Sequence, residues 1–164
     1  MARTLRPVGL DFADSAPLRF SFATRLAASP QEVYRALAED VTGWSRWFRV
    51  VTLARPLESA GRRGREVRLF GGACFIETVM AEEPGQRYAY RVEATNAPGL
   101  RALLEEWRLF PAGQGTVVRL GYAVDASAPA RLALLLGRPV LRHSFHDAVR
   151  RLDLRLASLR AHAV

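Results

Sequence analysis

The middle of this chain is a succession of short strand patterns separated by turn signals, and no helical pattern interrupts it. Apolar and polar residues alternate in segments that are bounded by turn-forming sequences such as Pro84-Gly85. The predicted strands span residues 50–57, 65–70, 74–82, 86–95, 101–110 and 116–125. Because the connections are short, we expect successive strands to pair antiparallel as a meander.

One further strand and two short helices precede this meander. Residues 19–27 alternate as a half-buried strand. The segment Ser29-Pro30-Gln31-Glu32 then carries a capping box with Pro at the first helical position, which is a strong helix start. Residues 44–48 form a short aromatic segment that we interpret as a second small helix. The irregular residues 1–18 are expected to be an extended lead-in.

The last forty residues have a helical pattern. From 139 to 161 a helix would run roughly 35 Å, with one narrow apolar stripe at a spacing of 100° per residue. The stripe comprises Leu141, Phe145, Val149, Leu152, Leu156 and Leu159. A short apolar stretch over 129–136 precedes it, and Gly137-Arg138-Pro139 is expected to break or kink the helix between them, so that 132–136 could act as a lid.

These elements predict the α+β class. The only element long enough to cover the concave face of a curved sheet is the C-terminal helix. We therefore predict a single domain over residues 1–164, with a curved seven-stranded antiparallel sheet around that helix and two short helices after the first strand.

Charge and composition restrict the functional classes. The formal net charge is +8, and all 24 basic residues in the Lys and Arg count are arginine. Since the arginines are scattered and a composition without Lys is typical of a high-GC genome, we interpret them as solvated surface and expect no nucleic-acid partner. An interaction module that docks on protein or RNA through this surface remains an alternative.

Cellular context follows from three absences in the sequence. Cys74 is the only cysteine, so no internal disulfide is possible. The sequence is therefore compatible with a reducing compartment. The N-terminus lacks the apolar region of a signal peptide. The longest apolar run, 132–136, is far short of the roughly 20 residues of a membrane span. We expect a cytoplasmic protein without a membrane span, either a monomer or a weak homodimer.

The ordered set of motifs resembles the START-like, or SRPBCC, superfamily, and within it the polyketide cyclase/dehydrase-like branch. The segments that carry the resemblance are 27–37, 44–48, 77–79, 83–92, 105–109 and 115–120. The resemblance implies a helix-grip fold with a deep cavity between the sheet and the C-terminal helix. It covers carriers of lipids and sterols as well as aromatase/cyclases, and it supplies no universal catalytic motif.

Strand alternation nominates the residues that face the helix. The strand over 74–82 is apolar on both faces, so its register stays open. The candidate ligand-binding residues are Phe22, Thr78, Tyr88, Tyr90, Val92, Leu103, Trp107, Val118, Leu120, Tyr122, Phe145, Val149 and Leu152. An ordinary core has the same composition, and the fold resemblance is what favours a cavity.

Glu105 is the candidate catalytic residue, because alternation puts this carboxylate on an otherwise apolar face. Burial there would raise its pKa and suit it to acid–base chemistry, with Tyr88, Tyr90 or Tyr122 as a partner. The alternative is an ion pair with a neighbouring Arg or a strand end that reaches solvent. Glu77 is a weaker candidate.

The remaining candidates concern a gate to the cavity, a metal site and a cofactor site. Trp44, Trp47, Phe48 and Leu135 could gate the cavity, although the aromatic cluster could equally plug one end of the sheet. Histidine spacing does not supply a ligand set, so we expect no metal site, and nucleotide-binding motifs are missing, so we expect no cofactor.

Three functions follow from this sequence. The leading hypothesis is a protein that binds a small apolar molecule, lipid-like or polyketide-like. The second is a cyclase/dehydrase-like enzyme that uses Glu105 and a tyrosine as acid and base. The third is the interaction module described above.

Overall fold

A computed structural model describes residues 2–59 and 61–162. Its strands are β1 (Arg3–Thr4), β2 (Leu18–Leu26), β3 (Val51–Ser59), β4 (Arg62–Leu69), β5 (Cys74–Glu83), β6 (Arg87–Thr95), β7 (Leu100–Ala112) and β8 (Gly115–Ala126). Its α-helices are α1 (Phe12–Ser15), α2 (Pro30–Tyr34), α3 (Trp44–Trp47) and α4 (Ala128–His162). A π-helical turn, Arg35–Glu39, and a 3-10 turn, Val41–Gly43, join α2 to α3.

The strands form one antiparallel sheet in the order β2-β8-β7-β6-β5-β4-β3. The seven strands of this path are those that alternation predicts, and the short β1 is an addition that pairs with β6. From β2 the chain crosses to the opposite edge through α2 and α3, and the meander β3–β8 brings it back to β2. The capping box that starts α2 is present, since Ser29 N donates to Glu32 Oε2 at 2.8 Å.

Helix α4 runs without interruption from Ala128 to His162, so the expected break at Gly137–Pro139 is wrong. Pro139 removes one helical N–H donor, and the carbonyl that loses this partner belongs to Leu135, which is half exposed. Because water reaches that side of the helix, the missing hydrogen bond does not force the helix to end.

From Phe145 to Leu156, helix α4 packs on the sheet with its inward-facing side chains buried. Phe145, Val149 and Leu152 are each 1% exposed. The centroids of the Phe145 and Trp107 rings are 6.0 Å apart. The Asp153 carboxylate accepts hydrogen bonds from the backbone N–H groups of residues 27 and 28 at 3.0–3.1 Å, which holds this half of the helix against the end of β2.

The N-terminal segment covers the convex face of the sheet. It is more than the extended lead-in that the sequence suggested, because it includes β1 and α1. Its residues Val8, Phe12 and Ala16 pack with the outward-facing side chains of β7 and β8 in a second, smaller apolar cluster. The sheet is therefore covered on both faces.

None of the helices in the described part of the chain combines the length and the apolar character that crossing a membrane requires.

Candidate functional site

A cavity of about 330 Å³ lies between the sheet and the N-terminal half of α4. Its wall is largely apolar, with strand residues on one side and helix residues on the other. The lining residues are Phe20, Trp44, Phe48, Val50, Val51, Arg65, Val67, Leu69, Phe70, Phe75, Glu77, Tyr90, Leu100, Leu103, Glu105, Tyr122, Val124, Leu134, Val140, Leu141 and Ser144. The concave face is thus packed at one end and open at the other.

The cavity opens to solvent between the β4–β5 turn and α4. Phe70 and Val140, on opposite sides of this opening, are 85% and 71% exposed, whereas the other lining residues are buried or half-buried. The mouth of the cavity is therefore apolar.

Three polar side chains form a row across the cavity wall. In the antiparallel register Tyr90 of β6 lies opposite Glu105 of β7, and Glu105 lies opposite Tyr122 of β8. The Tyr90 hydroxyl donates to Glu105 Oε2 at 2.7 Å, and Trp107 Nε1 donates to the same hydroxyl at 3.1 Å. Tyr90 therefore orients the carboxyl group of Glu105 towards the cavity.

Glu105 is a carboxyl group held near its titration point at neutral pH. Burial raises its pKa to about 7, and the negative charge of Glu77 adds to this effect, while the Tyr90 hydrogen bond and the charge of Arg65 oppose it. The convex-facing neighbour Glu106 instead pairs with Arg87 and Arg108. The ion-pair alternative thus describes Glu106, whereas the side chain that hydrogen-bonds to Glu105 is Tyr90.

A buried ion pair lies beside this row. Arg65 of β4 and Glu77 of β5 are 1% and 5% exposed, and their side chains are joined by a hydrogen bond from Arg65 Nε to Glu77 Oε2. The guanidinium of Arg65 also stacks between the rings of Trp44 and Tyr90, at 3.9 and 3.8 Å from their centroids. Burial lowers the pKa of Arg65, but Glu77 more than reverses this, so the pKa is raised and the guanidinium stays charged.

One donor of this guanidinium has no partner. Among the described residues, nothing accepts a hydrogen bond from Arg65 Nη1, although this atom is buried. An unpaired buried donor is destabilising, so this atom lowers the stability of the buried ion pair.

The structure brings some predicted site residues to the cavity and not others. Those that line it are Tyr90, Leu103, Glu105, Tyr122, Trp44 and Phe48. Those that lie outside its lining are Phe22, Thr78, Tyr88, Val92, Trp107, Val118, Leu120, Phe145, Val149, Leu152, Trp47 and Leu135.

All of the second group except Thr78 and Leu135 belong to the buried apolar core. Two residues are misplaced for a different reason. Thr78 faces the convex side, because Phe75 and Glu77 of the same strand face the cavity. Leu135 lies on the outer surface of α4, and Leu134 takes its place at the cavity wall.

The sequence interpretation missed Arg65, which it placed beside a turn over 61–64. In the structure β4 begins at Arg62, and Arg65, Val67 and Leu69 share the concave face. This alternation is readable in the sequence, but an arginine at an inward position is read as surface unless its partner is known.

The fold and the cavity together define a class: a curved antiparallel sheet closed over one long C-terminal helix is the helix-grip arrangement of START-like proteins. The chain belongs to the polyketide cyclase / dehydrase and lipid transport family, whose model matches residues 17–161. An uncharacterised protein of Mycobacterium tuberculosis is 30% identical over 148 residues, covering 88% of each chain.

Solved structures agree on the fold. A START superfamily protein from Mycobacterium smegmatis superposes with a TM-score of 0.65 at 15% identity, covering 86% of this chain and 98% of the other. The Zhui aromatase/cyclase from Streptomyces gives a TM-score of 0.65 at 16% identity, covering 85% of this chain and 93% of the other. At these identities the likeness concerns the fold alone.

Proposed function

We propose that this protein binds a small, largely apolar molecule that carries a polar oxygen, and that the cavity under α4 is its binding site. The observation that carries the proposal is the wall itself, which is apolar except for one cluster around Glu105. Its volume of about 330 Å³ lies within the range of roughly 300–1,000 Å³ that is usual for small-molecule sites.

The polar cluster supports a particular orientation of the guest. Glu105 and Tyr122 lie opposite each other in register and both line the cavity. A carbonyl or hydroxyl oxygen placed beside them would form hydrogen bonds there, while the apolar body would extend towards Phe70 and Val140. Affinity then comes from removal of apolar surface from water, and selectivity from the oxygen.

The proposal is tested with a variant in which a larger side chain fills the cavity. Val67 lies on the cavity wall and is 4% exposed, so Val67→Trp fills the space. Binding of an apolar dye such as Nile red, followed by fluorescence, should weaken at least about tenfold. The matched control is Ser21→Trp, on the exposed face of β2.

A dye that binds Val67→Trp and the wild type equally would overturn the proposal. Native mass spectrometry of the purified protein would, in addition, show whether a small molecule co-purifies with the wild type and is lost from Val67→Trp. Circular dichroism establishes that both variants are folded.

A second function is favoured by one specific observation, the near-neutral pKa of Glu105 together with its hydrogen bond to Tyr90. A group with such a pKa is suited to general acid–base catalysis at neutral pH. In a dehydrating cyclisation, the Glu105 carboxylate would accept a proton from the carbon next to one carbonyl, and that carbon would bond to a second carbonyl carbon of the same molecule, whose oxygen would take the proton back from Glu105. The carboxylate would then remove a second proton from the attacking carbon, and the resulting carboxylic acid would protonate the hydroxyl, which would leave as water while the C=C bond forms.

The substitution Glu105→Gln separates the two functions. Gln retains a side-chain acceptor for the Tyr90 hydroxyl but cannot exchange a proton. A carrier should keep its ligand affinity within a few-fold, whereas an enzyme that depends on this proton should lose turnover by roughly 10²-fold or more. Undiminished turnover in this variant would contradict the catalytic role.

A further inference from the structure

The N-terminal half of α4 presents apolar side chains to solvent. Leu132, Leu135, Leu136 and Val140 are 58%, 50%, 73% and 71% exposed, and we call these four residues the outer stripe. At 100° per residue they occupy an arc of about 140° on the side opposite the cavity-facing Leu134 and Leu141. A helix on the surface of a soluble protein normally places polar residues on this side.

Positive charge flanks the outer stripe. Arg131, Arg138 and Arg142 are exposed and fall within about 40° of one another, next to Leu135. No acidic residue occurs from Ala128 to His146. Among the described residues, the ion pairs of α4 all lie further along the helix, beginning at Asp147.

A surface groove joins the charges to the stripe. Arg138, Arg142 and Leu135 line it together with His143, His146 and the middle of β2 (Ser21, Phe22 and Ala23). Two of the three arginines therefore share one basic groove with the exposed Leu135. Such a groove accommodates anionic groups that lie next to apolar chains.

The outer stripe also reaches the mouth of the cavity. Val140 belongs to both, and Phe70, which is 85% exposed, lies on the other side of the opening. An exposed apolar surface therefore continues from α4 into the apolar interior of the cavity.

We propose that this half of α4 docks on an anionic lipid bilayer, with the outer stripe and Phe70 inserted among the acyl chains and the three arginines against the phosphate groups. A second copy of the chain fits less well, because a twofold contact through this face would bring two clusters of uncompensated arginines together. A nucleic acid would satisfy the arginines but leave the leucines in water.

The bilayer satisfies both features, since amphipathic helices with Arg on the polar side and Leu on the apolar side bind anionic membranes in this way. The proposal goes beyond the binding of a guest and does not require the cavity to be occupied. The two can therefore fail separately.

The experiment is flotation of the purified full-length protein with vesicles of phosphatidylcholine alone, or of phosphatidylcholine mixed with phosphatidylglycerol. We expect binding to the mixed vesicles at least about tenfold tighter than to the neutral ones, and weaker binding as salt is added. The double variant Leu132→Glu/Leu136→Glu, which changes two residues of the outer stripe outside the cavity lining, should lose binding by about tenfold or more, and so should Arg138→Gln/Arg142→Gln.

Two control variants change residues of similar exposure elsewhere on the surface. Leu154→Glu alters a residue of α4 that is 64% exposed but lies beyond the outer stripe. Arg101→Gln/Arg150→Gln removes two charges whose side chains are 65% and 71% exposed. Both controls should bind the mixed vesicles within about twofold of the wild type.

Several results would overturn the proposal. They are absence of binding to either kind of vesicle, equal losses in the control variants, and a concentration-dependent dimer that Leu132→Glu/Leu136→Glu abolishes in a protein that does not bind vesicles. Nile red binding in the cavity, measured on the same variants, shows whether a loss of vesicle binding is separate from a loss of the proposed binding site.

Discussion

At the scale of single residues, the cavity is defined by how a few polar side chains are satisfied. Glu77 neutralises the charge of Arg65, and the Tyr90 hydroxyl donates a hydrogen bond to Glu105. Arg65 Nη1 has no hydrogen-bond partner among the described residues. These groups lie in surroundings that are otherwise apolar, so their charges are weakly screened and each depends on its neighbours. Their energetic coupling leads to two predictions.

The first prediction concerns pH. The pKa of Glu105 is about 7 in the folded protein and near 4.5 in the unfolded chain, so the folded state binds the proton more tightly. The wild type should lose stability relative to Glu105→Gln as pH rises from about 4.5 to about 7, by on the order of 3 kcal/mol in total, with no further change above that window. Urea unfolding of both proteins across this range measures the difference.

A difference between the two proteins that is constant with pH would show that Glu105 titrates as an ordinary surface carboxyl group. Because the two proteins differ only at this residue, the comparison reports the titration of Glu105 together with its effect on the neighbouring Glu77.

The second prediction concerns the buried ion pair. Arg65→Met leaves the Glu77 carboxyl group buried without its partner and should cost about 3–5 kcal/mol of unfolding free energy. The double variant Arg65→Met/Glu77→Leu removes both charges and should recover most of that loss. Chemical denaturation measures all three proteins, and equal stability of the single and double variants would contradict a coupled pair.

At the scale of elements, helix α4 has two halves with different roles. Its C-terminal half forms the core with β2, β7 and β8, and its N-terminal half roofs the cavity. The apolar stripe that the sequence shows along the helix is buried only as far as Leu156, and Leu159 is 54% exposed. The stripe therefore extends beyond the part of the helix that the core covers.

The third prediction tests this division. Phe145→Ala removes a ring that is 1% exposed and in contact with Trp107 and Phe22, so it should destabilise the protein by about 3–5 kcal/mol. Leu159→Ala, on the same stripe, should change stability by less than about 0.5 kcal/mol. Thermal unfolding measures both, and similar losses would mean that the last turns of α4 are packed.

At the scale of the whole molecule, the sheet makes a curved surface whose two edge strands, β2 and β3, are joined through α2 and α3. The covered convex face and the packed end of the concave face supply the stability. The open end of the concave face can then remain unfilled without unfolding the protein.

The fourth prediction belongs to this scale. A guest that binds only the folded protein should raise its unfolding free energy by about 2.7 kcal/mol when its concentration is a hundred times the dissociation constant. Differential scanning fluorimetry with candidate apolar ketones or phenols measures this as a rise in Tm. The rise should be missing in Val67→Trp, and an equal rise in that variant would place binding elsewhere.

Local patterns predicted much of this architecture. The strand alternation, the capping box at Ser29 and the turn sequences identify the seven strands of the path and α2, because each depends on residues close together in the chain. The same alternation put Glu105 on the concave face. It failed at Thr78, where a strand apolar on both faces carries no periodic signal. The break expected from Pro139 was wrong for a different reason, because exposure of the helix makes the lost hydrogen bond tolerable.

The sequence by itself determined which residues alternate, where the chain turns and that one long helix must cover the sheet, since these are consequences of local chemistry and spacing. Only the tertiary structure decided that the concave face is packed at one end and open at the other, and that Arg65 is buried against Glu77. These features depend on how side chains from distant strands fill a shared volume, and their volumes and partners are known only once the strands are in register.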